Sequence, residues 1–316
     1  MVRIFSPQVK ARTFDLLSAT VWLALLLTPA AAAAQPVVDR LAEVTARAAA
    51  HALKEGAAHV AAGRWDHARR AFADACTWQP DLAIAHYNHG VALGALGRSD
   101  DAIAAYRRAL AITPTLAEAV VNIGVELFKS ERAVAALPYL ERAVQLAPRF
   151  ADARHNLGVV LAFLGRQDEA VVELEHAERL NPTSIATRRA LAETYVNLGM
   201  RAAARQHWQD ALASYRRALV YDDDLPEAFN GAGVALSRLR DDRAAVAMFN
   251  EALRRRPRFA EARYNLASAL VTIGRYREAI AACRAALRVQ PTLVPAAQLL
   301  DTLLRRLMPA ARSTVS

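Results

Sequence analysis

Four asparagines, Asn88, Asn122, Asn156 and Asn265, recur at one place in a 34-residue step (122−88 = 34, 156−122 = 34), the last after a slip of seven (265−156 = 3×34 + 7). A side-chain amide both donates and accepts, so a row of amides on one face can pair with the main chain of an extended segment whatever its side chains. Three residues beyond that place stand Val91, Val125, Val159 and Val234, which would line a trough for aliphatic side chains. Tyr87, Tyr264 and Arg189 flank the row, and Tyr and Arg are side chains that anchor interfaces. Ala190 and Gly231 interrupt it, so continuous tracking of a segment is expected to stop there. The chemistry on offer is recognition of another chain. Two plainer readings compete: an exposed helix tolerates asparagine at little cost, and valines at helical spacing pack between neighbouring elements.

Little else could carry a reaction. His51, His59, His67, His86 and His89 make up five of the eight histidines, and three converging imidazoles would suit a transition metal. No cysteine or carboxylate pattern accompanies them, so neither a metal nor another cofactor is expected. Cys76 and Cys283 lie too far apart in the chain's repeat order to meet the roughly 7 Å that a disulfide needs, and read as small buried hydrophobes. No phosphate loop, metalloprotease motif or nucleophile elbow is present, and the expectation is a non-enzymatic protein.

The elements that must position the row are set by prolines. Pro80, Pro114, Pro148 and Pro182 are 34 apart, and Pro257 and Pro291 resume the step. Counting each repeat from three residues after the proline gives starts at Ala49, Ala83, Ala117, Ala151, Ile185, Pro226 and Ala260. With the seven residues Met200 to Gln206 of the longer fifth repeat left out of the count, the twentieth place holds Ala68, Ala102, Ala136, Ala170, Ala211, Ala245 and Ala279, and seven further on come Ala75, Ala109, Ala143, Ala177, Ala218, Ala252 and Ala286. Helix axes approach to about 8–10 Å only over small residues, so these alanines mark where a repeat's second helix crosses its first. The eighth place, the other close contact, holds Gly56, Gly90, Gly124, Gly158, Ala192, Gly233 and Ala267.

This pattern resembles the tetratricopeptide repeat family. Asn156-Leu157-Gly158, Leu164-Gly165-Arg166 and Glu169-Ala170 fit its motif, as do Tyr264-Asn265-Leu266 and Ile273-Gly274-Arg275-Tyr276. The family's first-helix aromatic is replaced by Ala52, His86, Val120, Arg154, Arg188 and Arg263, with only Phe229 matching. The resemblance covers about residues 49–293. It implies an all-α, right-handed α-solenoid of about seven helix-turn-helix repeats, with first helices lining a concave groove. The asparagine row is similar to the ladder in the repeat domain of O-linked N-acetylglucosamine transferases. The family's carboxylate clamp needs lysine and asparagine in adjacent repeats, and Lys54 and Lys129 do not supply it.

The expected organisation is 1–34 an export signal, 35–48 a helical extension capped by Asp39, then repeats over 49–82, 83–116, 117–150, 151–184, 185–225, 226–259 and 260–293. A capping helix and tail follow over 294–316, with Leu299, Leu300, Leu303, Leu304 and Leu307 on one side and Arg305 and Arg306 left for water. The signal rests on Arg3, Lys10 and Arg12, the apolar run Leu16 to Leu27, and the small residues Ala30 to Ala34. Its cleavage implies a periplasmic or secreted protein; retained, the segment would be an inner-membrane anchor. Repeat five is longer because Met200 to Gln206 is inserted, which predicts a second helix that starts early and projects as a ridge.

The formal charge of +9 draws on Arg107-Arg108, Arg216-Arg217 and Arg254-Arg255-Arg256, late in second helices, where cations complement the helix dipole. Nucleic acid is therefore not an expected partner. The expected function is a scaffold that holds a peptide or helix of another protein, centred on repeats two to four. The alternatives are a self-assembling envelope component and a subunit that presents substrate to a separate enzyme.

Overall fold

The computed structural model describes residues 29–307, so the basic flank and apolar run of the expected export signal lie outside the described residues. Among the described residues fifteen helices follow one another and there is no strand. They are α1 (Pro29–Ala61), α2 (Trp65–Trp78), α3 (Ala83–Ala95), α4 (Ser99–Ile112), α5 (Ala117–Lys129), α6 (Ala133–Leu146), α7 (Ala151–Phe163) and α8 (Gln167–Leu180). After these come α9 (Ile185–Ala204), α10 (Trp208–Tyr221), α11 (Pro226–Arg238), α12 (Asp242–Arg255), α13 (Ala260–Thr272), α14 (Tyr276–Val289) and α15 (Val294–Leu307). Two compact units divide between Asn122 and Ile123, within α5. In unit one, α1 packs on α2, α2 on α3 and α3 on α4. In unit two each helix from α7 onward packs on the next, and α9, α11 and α13 also touch in turn. The architecture is an all-α solenoid of helix pairs.

The small residues explain the close pairing. All fourteen alanines of the twentieth and twenty-seventh places have no exposed surface. The glycines opposite them are needed for a different reason, because a Cβ on Gly56, Gly90, Gly124, Gly158 or Gly233 would enter the side chain sixteen residues on: Phe72, Tyr106, Leu140, Leu174 or Phe249. Two residues past the end of each of these first helices stands a residue with positive φ: Gly63, Gly97, Glu131, Gly165, Gln206, Arg240 and Gly274. Immediately after it, a backbone N–H reaches back five residues, as from Arg64 to the His59 carbonyl and from Arg275 to that of Leu270, closing the last turn.

Repeat five departs from the expectation. Its second helix, α10, has the ordinary 14 residues, whereas the first helix, α9, has 20. Its glycine contact is Gly199, whose Cβ would meet Tyr215, also sixteen residues on. Gln206 makes the left-handed turn, and the His207 N–H closes it on Ala202. Counted from Ala192, Gly199 is eighth and Gln206 fifteenth (192+7, 192+14), as in every other repeat. The additional seven residues are therefore Ile185 to Leu191, two turns added ahead of the first helix, and neither a loop nor an early second helix. In this register Tyr195 joins Phe229 as a first-helix aromatic.

The ends also differ in detail. Asp39 lies inside α1, where it accepts from Gln35 Nε2 at 2.9 Å, and so caps nothing. On α15, Leu303 is buried and Leu299 and Leu300 are half-buried against the same core, while Leu307 is exposed. Arg306 rests 4.7 Å above the Tyr276 ring. Among the described residues no helix is long and apolar enough to cross a membrane.

Candidate functional site

In unit one the row comprises Asn88 on α3 and Asn122 on α5, both half-buried. Asn122 Nδ2 stands 3.4 Å from the hydroxyls of both Tyr87 and Tyr106, whose rings pack 5.9 Å apart at 48°. Burial raises the Tyr87 phenol, so it stays neutral and donates or accepts without charge. The Asn88 side chain makes no hydrogen bond among the described residues, and Val91 beside it is half-buried.

In unit two the row continues differently. Val125 and Val159 are half-buried, and Asn156 Nδ2 donates to its own helix at the Asp152 carbonyl, 2.8 Å away. Asn265 Nδ2 donates to Asn230 Oδ1 at 3.0 Å. Asn122 thus directs its amide nitrogen at two hydroxyls inside the protein, and Asn156 and Asn265 each commit one of two N–H groups there. What remains on offer is the carbonyl oxygen, an acceptor for main-chain N–H groups, and at Asn156 and Asn265 one further N–H.

The revised register of repeat five changes the row. Asn197, not Ala190, precedes the contact glycine by two residues, as Asn88, Asn122 and Asn156 do (199−197, 90−88, 124−122, 158−156). Asn197 is exposed, and Met200, 59% exposed, takes the place held elsewhere by valine. The interruption is then confined to Gly231, where a side chain would enter the Tyr215 ring. Arg189 does not flank the row: it sits in the added turns and pairs with Glu193 at 3.0 Å, both side chains well exposed. Sequence reasoning missed Asn197, although Asn197-Leu198-Gly199 repeats the signature of Asn156-Leu157-Gly158.

Three of the expected residues come together. Val234, Tyr264 and Asn265 line a cavity of about 520 Å³, with Ser268, Trp208 and Arg238. The Arg238 guanidinium lies 5.3 Å above the Trp208 ring, a cation–π contact that fixes its position without neutralising it. Asp242, nearly buried at the cavity's edge, is occupied by the Ser237 hydroxyl at 2.8 Å. The cavity therefore offers an aromatic floor, hydroxyl and amide groups, and a positioned cation. It opens at repeats six and seven, whereas the sequence had pointed to repeats two to four.

The histidines do not form a cluster of metal-ligating residues among the described residues. The His59 and His67 rings lie 5.1 Å apart, tilted by 38°, and His86 Nε2 sits 2.9 Å from the Pro80 carbonyl. Cys76 and Cys283 are free thiols, both pushed up to about 11 by burial.

Comparison with known proteins agrees with this geometry. A tetratricopeptide repeat model matches residues 53–117, 121–185 and 231–293, and a second tetratricopeptide repeat model matches 184–224. No curated protein sequence matches the chain. Among solved structures, the C-terminal part of a TPR repeat-containing protein from Cytophaga hutchinsonii superposes with a TM-score of 0.57 at 16% identity, over 78% of this chain and 99% of that one. PilF of Pseudomonas aeruginosa matches at 20% identity over 67% of this chain and 94% of its own, with a TM-score of 0.49. YrrB, a TPR protein with an unusual peptide-binding site, matches at 19% over 62% and 97%, also at 0.49. With the repeat geometry and the family models covering the same residues, the chain belongs to the tetratricopeptide repeat family.

Proposed function

We propose that this chain is a non-catalytic scaffold that holds a segment of another protein on its first-helix face, in unit two at repeats six and seven. The observation that carries the reading is the convergence of Val234, Tyr264 and Asn265 in one cavity with the stacked Arg238. Tyr264 and Trp208 offer flat apolar surface at low entropic cost, and Asn265 Oδ1 can receive a main-chain N–H. Arg238, with no carboxylate partner among the described residues, favours a segment that carries an acidic side chain. Residues 1–34 carry the marks of an export signal, so the partner is sought in the cell envelope.

The test is recovery of partners from an envelope fraction by the mature chain, set beside Tyr264→Ala/Asn265→Ala and Asn122→Ala/Asn156→Ala. Loss of one specific protein with the first pair alone is expected. Equal recovery with that pair would remove repeats six and seven as the site.

One observation favours self-assembly as a second reading. Val37, Leu41 and Val44 form an exposed stripe on α1, 70%, 64% and 55% exposed. α1 has 33 residues and its partner α2 only 14, so the first half of α1 extends past its packing partner. Light scattering that finds a concentration-independent monomer would dismiss this reading.

A further inference from the structure

Unit one carries chemistry on its second-helix side that a peptide groove does not use. Between α2 and α4, floored by α3, two adjoining hollows of about 580 and 180 Å³ share His89 and Arg108. Arg69 enters from α2, His86 and His89 from α3, and Arg108 from α4. The one carboxylate on the lining is Asp101, and it is held by Arg98 at 2.6 Å. Neither Arg69 nor Arg108 has an ion-pair partner among the described residues.

Two polar atoms are left over in this cleft. Arg69 Nε and His89 Nε2 are fully buried and without a hydrogen-bond partner. Buried polar atoms are almost always satisfied, so two orphans in one cleft call for a partner there: Arg69 Nε donates, and His89 Nε2 donates in the tautomer that carries its proton. The electrostatics agree. Burial, then the charges of Arg69, His86, Arg108 and Arg98, hold the His89 imidazole below its ordinary range. The nearby Cys76 thiol is pushed up to about 11 by burial, so it stays neutral and repels no anion.

We propose that this cleft binds a phosphate-class dianion, either inorganic phosphate or a phosphomonoester. Donors arrive from two walls and the floor, three directions that suit a tetrahedral oxyanion better than a planar carboxylate. A dianion also offsets two arginines more fully than a single negative charge does. Nothing here depends on the segment-binding reading, because the two sites lie in different units and either can fail alone.

The experiment is calorimetric titration of the full chain with inorganic phosphate at constant ionic strength, with acetate as the comparison. One phosphate site is expected, and acetate is expected to bind more weakly. Arg69→Gln and Arg108→Gln should each weaken phosphate about tenfold, the loss typical of one hydrogen bond to a charged group. Arg70→Gln, on the same helix but outside the lining, should leave the affinity unchanged. Arg108 is exposed, so its variant keeps the fold even if the half-buried Arg69 does not tolerate change. Flotation with phosphatidylcholine vesicles, with and without phosphatidic acid, assigns the source. Capture by phosphatidic acid that Arg108→Gln abolishes supports a lipid headgroup, and phosphate binding without capture supports a soluble ligand. No phosphate binding, equal binding by Arg108→Gln, or equal loss in Arg70→Gln overturns the proposal.

Discussion

Gly199→Ala decides the register of repeat five. In the structure a Cβ at Gly199 falls 2.7 Å from Tyr215 Cε1, 2.8 Å from Cδ1 and 2.9 Å from Cζ, closer than real Cβ contacts come. The ring is 5% exposed, and a Cβ on Gly231 of α11 would meet the same ring, so it has no free side to retreat to. Alanine in a helix interior gains about 1 kcal/mol over glycine, whereas overpacking of this kind costs about 1–3 kcal/mol. With the ring trapped, the upper end applies, and the net loss is about 2 kcal/mol. For a body the size of unit two that lowers a thermal midpoint by about 4–8 °C. Circular dichroism melts of the purified chain measure it. The companion is Tyr215→Cys, which copies repeat seven, where the same step pairs Ala267 with Cys283, both buried in one cluster (283−267 = 215−199 = 16). In that background Gly199→Ala should stabilise by about 1 kcal/mol, a coupling of about 3 kcal/mol. A Gly199→Ala protein that melts at or above the parent would refute the register, because the insertion would then lie after Gly199.

Three further outcomes are expected. Pro138 is exposed inside α6 and lacks the N–H that would bond the Val134 carbonyl, so Pro138→Ala should raise the unfolding free energy by about 1–3 kcal/mol, read by urea titration. Glu175 is pulled up by burial but drawn lower overall by hydrogen bonds from Tyr195 and Arg217, both at 2.8 Å, and by the charges of Arg217 and Arg179. Its folded pKa is depressed, so its stabilisation is complete above the unfolded carboxylate value and fades as pH falls through the folded one; Glu175→Gln should flatten that acid limb of the stability curve. Arg188 donates to the Val220 and Tyr221 carbonyls at 3.2 and 3.3 Å, and Arg188→Ala should speed amide exchange in the last turn of α10, at a cost of about 1–2 kcal/mol.

The repeat was legible because its most constrained residues are its smallest. Alanines that let two helices cross cannot vary, and fourteen of them kept their places through the whole array. Repeat five was misread because the count was anchored on Pro182. A proline fixes where a helix can begin; it does not fix which residue meets the second helix. The informative pair was Gly199 with Tyr215, since Ala192 opposite a tyrosine would have clashed where every other aromatic faces glycine. Of the candidate site, the asparagine positions were readable from spacing. Their partners were not, because Asn122 meets Tyr87 and Tyr106, and Asn265 meets Asn230, across repeat boundaries. The Arg69–His89–Arg108 cleft was not legible, since His89 read only as one of several histidines and Arg108 as a solvated arginine late in a second helix, and nothing in the sequence brought Arg69 to them.

The added turns of α9 have a physical logic that a protruding ridge lacks. Seven residues advance a helix by about 700°, some 20° short of two full turns, so the face beyond them keeps its direction. That is why Asn197 and Met200 can stand where Asn156 and Val159 stand in repeat four. The turns themselves do not hang free. Thr187 is buried, with its hydroxyl 3.2 Å from His155 Nδ1 on α7, and Leu191 is fully buried. Arg188 covers the carbonyls at the end of α10 and lies 6.0 Å from the Tyr221 ring. Tyr221 in turn stacks on Tyr195 at 5.9 Å, and Arg217 stands over both rings while bonded to Glu175. An arginine, two tyrosines and a glutamate from α8, α9 and α10 therefore tie the lengthened helix to both neighbours. The added turns thus meet repeat four through Thr187 and His155, while the two full turns leave Asn197 and Met200 in register with the row.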